Sequence, residues 1–240
     1  MEDLARRLMS WIKEQVTGAD CRGTVVGLSG GIDSSVVAVL SHHAFPGNAL
    51  AVLMPCHSNR EDLDDARLLA RTFSIPTVTV ALDRVFDSLL EALPKAEYDP
   101  DTLKLAEANL KPRLRMSTLY YYANRLHYLV AGTCNKSEIA VGYATKYGDS
   151  GADILPLGNL LKGEVRELAA CLGIPGSIIE KAPSAGLWEG QTDEGEMGIT
   201  YEELDSYLAT GQATGKVRKR VDALAKATLH KRTPPPVPPY

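Results

Sequence analysis

The chain has 240 residues, 45% of them apolar and 23% charged, with 26 basic against 30 acidic side chains and a net charge of −4. These proportions exclude a disordered, collagen-like or coiled-coil chain, and the acidic balance excludes a general polyanion binder. No apolar run nears the ~20 residues that span a bilayer, and Met1-Glu2-Asp3 lacks the basic region of a signal peptide. A cytoplasmic protein without membrane or nucleic-acid partners is expected. Cys21, Cys56, Cys134 and Cys171 form no C-x-x-C pair, so neither a zinc ribbon nor a disulfide framework is expected.

Residues 3–16 place Leu4, Leu8, Trp11 and Ile12 at helical spacing. Thr24–Leu28 is a short apolar run entering Ser29-Gly30-Gly31, which predicts a buried strand and a tight turn. A helix from Asp33 to His43 follows. Ala49–Met54 and Thr77–Ala81 predict two more strands, separated by a helix over Glu61–Thr72. Asp83–Leu93 has helical spacing, and the polar stretch Tyr98–Asn109 is less defined. Pro112 suits a first helical turn, so a helix is predicted over Arg113–Tyr128. Tyr128–Thr133 reads as a fourth strand and Asp153–Leu157 as a short fifth. Lys162–Leu172 is a helix stopped by Gly173. Residues 183–200 form a long Gly-rich acidic loop of the kind that serves as a lid. Helices over Tyr201–Ala209 and Lys216–His230 precede a tail with five prolines in its last eight residues. Alternating strands and helices predict an α/β, Rossmann-like parallel sheet of about five strands with helices on both faces. With no internal repeat, one domain over 1–240 is expected, residues 233–240 being an extended tail.

The chemistry concentrates in Ser29-Gly30-Gly31-Ile32-Asp33-Ser34-Ser35, between a buried strand and a helix. Paired glycines let backbone N–H groups approach an anion, and the helix N-terminus adds partial positive charge. Ser29, Ser34 and Ser35 add hydroxyl donors. Asp33 would repel a phosphate directly but suits a Mg²⁺ lying between carboxylate and phosphate. The structural alternative is a Gly-rich turn with Asp33 as helix N-cap. Neither a Walker P-loop nor any Gly-x-Gly occurs in the chain.

This loop resembles that of the N-type ATP pyrophosphatases, which split ATP between its α and β phosphates. Further segments narrow the likeness: Asn109 to Met116, Gly132-Thr133 with Asn135 and Ser137-Glu138, Lys146-Tyr147-Gly148-Asp149 with Asp153, Pro156-Leu157-Gly158, Pro183-Ser184-Ala185, Gln191 to Glu194, and His230-Lys231-Arg232. Together they resemble ammonia-dependent NAD synthetase over nearly the whole chain. Pro112 stands where that family usually has Ala, and Ser184 where Thr is common.

The resemblance implies ATP-dependent amidation of nicotinic acid adenine dinucleotide (deamido-NAD) by ammonia through an acyl-adenylate, giving NAD, AMP and pyrophosphate. It implies ATP contacts at Leu28, Ser29, Gly30, Gly31, Ile32, Asp33, Ser34, Ser35, Thr133, Lys162 and Ser184. Asp33 and Glu138 would be Mg²⁺ ligands, and Lys162 would meet the phosphates. Arg113, Lys146, Asp153, His230 and Lys231 match positions that hold deamido-NAD. Asp149 is a candidate base for ammonium. Cys134 is expected to be a buried structural thiol, and a homodimer is expected. The alternatives are another adenylating enzyme of the same loop, GMP synthetase-like or RNA-base-modifying, and a nucleotide-binding module without turnover.

Overall fold

The apolar runs of the first half fold into one parallel sheet. A computed structural model describes residues 1–94, 99–188 and 190–240. Tyr98, at the start of the polar stretch, and Glu189, in the long loop, lie outside those residues. The first elements are α1 (Glu2–Gly18), β1 (Gly23–Gly27), α2 (Ile32–Ala44), β2 (Ala49–Leu53), α3 (Arg60–Thr72), β3 (Thr77–Thr79) and α4 (Asp83–Ala92). Next come α5 (Pro100–Ala108), α6 (Leu110–Leu126), β4 (Tyr128–Val130), α7 (Lys136–Val141) and α8 (Lys162–Cys171). The last are α9 (Gly176–Glu180), α10 (Asp193–Met197), α11 (Tyr201–Thr210), α12 (Gly215–Ala227) and α13 (Leu229–Arg232).

Among the described residues the sheet has four strands in the order β3-β2-β1-β4, all parallel. Val25 stands opposite Leu50 on one side and Val130 on the other. Side chains alternate between faces with the period of a strand. Val26, Ala51 and Leu53 pack with Ile12 and Val16 of α1, Val36 and Leu40 of α2, and Leu168 of α8. Val25, Val52 and Val130 pack with Phe86 of α4 and Ala123 of α6 on the other face. Both faces are thus covered, as the near-continuous apolar strands require. The buried Ile12 and Val16 make the inner stripe of α1 core. A smaller cluster joins α7, α10, α11 and α12 through Val141, Met197, Leu204 and Val221.

Three sequence expectations are corrected. Asp153–Leu157 is not a strand: only a parallel bridge between Ala131 and Ile154 forms there. The Asp153 carboxylate accepts the Val130 N–H at 2.8 Å, and Pro156 has no donor to extend a ladder. The long loop is not wholly irregular, because Thr192 accepts Gly195 N–H at 3.3 Å and starts α10. The last helix breaks at Thr228, whose hydroxyl donates to Val141 O at 2.9 Å while its side chain packs on Gly142.

Strand order fixes where a ligand can bind. The chain leaves β1 through α2 toward β2, whereas β4 lies on the opposite flank of β1. An open α/β sheet has its ligand crevice at such a reversal, beyond the strand C-termini. The segments leaving β1 and β4 there are Leu28–Asp33 and Gly132–Glu138.

Candidate active site

A cavity of about 640 Å³ opens at this reversal. Leu28, Ser29, Gly31, Ile32, Asp33 and Ser34 line one side, and Thr133 and Glu138 line another. Gly30 turns the loop with φ +87°; a Cβ there would lie 2.1 Å from the Asp62 carbonyl oxygen. Only glycine fits both that backbone and that approach. The Ser34 and Ser35 hydroxyls donate to Gly31 O at 2.9 and 2.8 Å, and Ser29 Oγ lies 3.0 Å from Ser34 Oγ. Gly31, rather than Asp33, is the N-cap of α2. The Asp33 carboxylate is therefore free for tertiary contacts.

Those contacts bring three chain segments together. Lys162 Nζ donates to Asp33 Oδ2 at 2.5 Å and lies 3.4 Å from Glu138 Oε1. Asn135 Nδ2 donates to the other Asp33 oxygen at 2.9 Å. Asn135 also caps α7: its side chain accepts Glu138 N–H at 3.0 Å, while Glu138 Oε2 accepts Asn135 N–H at 3.1 Å. This capping box fixes one oxygen of Glu138 and turns the other toward Lys162. Lys162 opens α8, where a cation opposes the helix dipole. The two carboxylates offset that cost, and Asp205 and Ser137 meet the first N–H groups of α8.

Burial and the charge of Asp33 push Glu138 up to about 8, against the opposing pull of Lys162. Burial works against the Lys162 ammonium, but Asp33 and Glu138 outweigh it and raise its pKa. Tyr201 adds a further layer. Its ring lies 4.9 Å from Lys162 Nζ, and its hydroxyl donates to Asp193 Oδ2 at 2.9 Å. Asp193 lines the cavity, and among the described residues its buried Oδ1 has no hydrogen-bond partner. Burial raises the Asp193 carboxyl too.

Asp33, Glu138 and Asp193 thus face one ammonium, and the raised Glu138 and Asp193 carboxyls call for a further cation to ionise fully. Hard carboxylate oxygens so placed suit a divalent cation such as Mg²⁺. Among the described residues no three His, Cys, Asp or Glu side chains converge into a metal cage. Phosphate oxygens would have to complete the shell, a usual arrangement for Mg²⁺.

Asp149 lies open to the same cavity, and its Oδ1 accepts Thr145 N–H at 2.9 Å. Nearby protein pushes its carboxyl up, although the residue itself is exposed. Lys231 also lines the cavity and donates to Ala144 O at 2.7 Å; burial lowers its pKa, opposed by Asp149. Ser184 lines the wall, with its hydroxyl donating to Gln191 O at 2.7 Å. Gly30 and Ser35 are buried behind the loop. Arg113, Lys146, Asp153 and His230 do not line the cavity. Arg113 Nε points to Lys146 O at 3.4 Å, and Asp153 accepts the Tyr120 hydroxyl at 2.9 Å. Cys134 is buried and burial pushes its thiol well up, as a structural thiol requires.

Sequence reasoning assigned no role to Asn135, Lys111, Lys181, Asp193 or Tyr201. The N-x-x-E spacing at Asn135 is a capping-box signal and could have found the first. Lys111 and Lys181 hold the long loop. Lys111 Nζ donates to Leu187 O at 2.8 Å, and Lys181 pairs with Asp62 at 2.6 Å and Asp65 at 2.8 Å. Lys104 lies 4.8 Å from the Trp188 ring.

A family model for NAD synthase matches residues 4–235. An NH(3)-dependent NAD(+) synthetase of Carboxydothermus hydrogenoformans is 50% identical, the match covering 99% of this chain and 97% of that one. Among solved structures, an NMN synthetase from Francisella tularensis superposes with TM-score 0.92 at 36% identity, covering 100% of this chain and 98% of that one. An NH3-dependent NAD synthetase from Campylobacter jejuni gives TM-score 0.80 at 29% identity, with coverages of 98% and 97%.

Proposed function

We propose, for a chain that belongs to the NAD synthase family, a specific division of labour in the ATP-dependent amidation of deamido-NAD with ammonia. The observation that carries it is the meeting of Asp33, Glu138 and Lys162 beneath the Ser29–Ser35 loop. A carboxylate is a poor electrophile, so it must first gain a leaving group. Its oxygen bonds to the α-phosphorus of ATP, the bond from that phosphorus to the β-phosphate bridge breaks, and pyrophosphate departs. Ammonia then bonds to the carbonyl carbon, and the bond to AMP breaks. No enzyme nucleophile is needed, so positioning and charge neutralisation dominate.

Backbone N–H groups and hydroxyls of residues 28–35 hold the β and γ phosphates. Lys162 follows the charge that builds on pyrophosphate. Bound Mg²⁺, held by Asp33 and Glu138, would neutralise phosphate oxygens during that step. Thr133 and Ser184 contact ATP from the facing walls. Asp149, exposed on the cavity wall, accepts a proton from ammonium. A cavity of about 640 Å³ suits one drug-sized ligand. ATP and a dinucleotide together exceed that, so deamido-NAD extends past Lys231 to Arg113, Lys146, Asp153 and His230. A single domain over 1–240, a homodimer and a cytoplasmic location complete the reading. Among the described residues no helix is long and apolar enough to cross a membrane.

Oxygen transfer tests the first step. With ¹⁸O in the carboxylate of deamido-NAD, one ¹⁸O atom is expected in AMP and none in pyrophosphate. Label retained in a phosphate other than AMP would refute adenylation. A second reading comes from the Francisella tularensis neighbour named as an NMN synthetase: the same chemistry on nicotinic acid mononucleotide.

A further inference from the structure

Lys162 holds the two oxygens that the proposed metal needs. Its ammonium lies 2.5 Å from Asp33 Oδ2 and 3.4 Å from Glu138 Oε1, and only 2% of its side chain is exposed. Ligand oxygens sit about 2.0–2.1 Å from Mg²⁺. A divalent ion bound to the same two oxygens would therefore sit beside a fixed positive charge. In a poorly solvated pocket such like-charge repulsion is strong. Asp193 is the other carboxyl group near the ammonium, and its Oδ2 already accepts the Tyr201 hydroxyl at 2.9 Å. Tyr201 offers a ring face at 4.9 Å, and its hydroxyl lies 2.9 Å from Asp193 Oδ2 and 3.4 Å from Glu138 Oε1. The new anion that ATP brings is polyphosphate.

We infer that Lys162 is an internal counter-ion of the carboxylate pair, which opposes divalent metal in the chain alone and yields when ATP phosphate draws its ammonium away. Metal and nucleotide then bind with positive coupling, beyond their association in solution. The coupling is reciprocal: metal at the pair also favours the phosphate-bound position of Lys162. The free protein is thereby protected from holding a metal ion where the nucleotide must enter. This inference rests on the proposed metal role of Asp33 and Glu138.

Mn²⁺ titration followed by electron paramagnetic resonance tests it without turnover. Without nucleotide, Lys162→Met is expected to bind Mn²⁺ about tenfold or more tighter than the native chain, within the usual range for coupled sites. Lys162→Arg, which keeps the charge, should bind as weakly as the native chain. Adding Asp33→Asn to Lys162→Met should abolish the gain. A second measurement uses the native protein, in case Lys162→Met fails to fold. The ¹⁵N signal of the Lys162 side chain, assigned by its loss in Lys162→Arg, should ignore Mg²⁺ alone. It should move when Mg²⁺ arrives with α,β-methylene ATP. Movement with Mg²⁺ alone, or equal Mn²⁺ affinity in folded Lys162→Met, overturns the counter-ion role while the Asp33 dependence keeps the metal site. Mn²⁺ binding that ignores both Asp33 and Glu138, with nucleotide present, overturns the metal reading and this inference together.

Discussion

Asp33, Glu138, Asp193 and Lys162 place three carboxyl groups around one ammonium, and most of the proposed chemistry follows from the further cation that would ionise them. Asp33→Asn and Glu138→Gln remove charge from the adenylation site while keeping side-chain shape. Each is expected to lower the rate of pyrophosphate release about 10²–10³-fold, as loss of an electrostatic stabiliser does. Near-native rates at limiting Mg²⁺ in both would contradict the assignment. Glu138 also makes a pH prediction. Its carboxyl rises from an ordinary 4.5 to about 8, chiefly through burial. The folded chain then binds more protons than the unfolded chain between those values. This contribution to stability is full below 4.5 and is lost as pH rises through about 8. Without metal or ATP, melting temperature should fall over that window, and Glu138→Gln should flatten the fall. Asp33, Glu138 and Lys162 were legible in the sequence because each sits in a local motif at an element start. Asp193 and Tyr201 were not, because their importance comes from burial against α7 and α8, which no local spacing reveals.

At the scale of elements, the proposed phosphate loop (residues 29–35) and the proposed lid (residues 183–200) are tested separately. Gly30 combines φ +87° with an approach to Asp62 O that leaves no room for a Cβ. Gly30→Ala is expected to destabilise the fold by about 1–3 kcal/mol through backbone strain alone. Calorimetry would report it, and an unchanged melting temperature would show that the loop relaxes freely. The segment after Ala182 is held from two sides, by Lys111 and Lys104 near Leu187 and Trp188 and by Lys181 at its root. We expect residues 183–188 and 190–200 to exchange amide hydrogens more slowly when both substrates bind, shielding the acyl-adenylate from water. Lys111→Met should speed hydrogen exchange across residues 184–188 and raise AMP formed per NAD, because water then intercepts the intermediate. AMP and NAD remaining equal would make the segment a fixed wall. The strands β1 and β2 were readable because buried parallel strands are plain apolar runs, and the exposed edge strand β3 because its residues are all β-branched. The expected fifth strand failed because Asp153 uses its side chain where a ladder would use backbone. The short α9 and α10 lie in stretches whose Gly and Pro content reads as loop.

At the scale of the molecule, a doubly wound sheet offers one reversal point, and the family's sequence motifs fall on both sides of it. The fold class was legible for that reason: alternating elements leave few topologies. The inner cavity was also legible, through the segments leaving β1 and β4. Placement of Arg113, Lys146, Asp153 and His230 outside the cavity was not, since motif order along the chain carries no distances. Nitrogen-donor choice belongs to this scale too. The cavity must admit ammonium itself, so activity should follow ammonium concentration, and glutamine should not replace it. Glutamine-driven synthesis by the purified chain, with ammonia excluded, would contradict that.

Product analysis of the purified chain with ATP, Mg²⁺ and ammonium, supplied with deamido-NAD or nicotinic acid mononucleotide in parallel, separates adenylation from phosphorylation and dinucleotide from mononucleotide. One AMP and one pyrophosphate are expected for each NAD formed, with a higher kcat/KM for the dinucleotide. Formation of ADP and phosphate, or turnover of the mononucleotide alone, would contradict the proposed reaction.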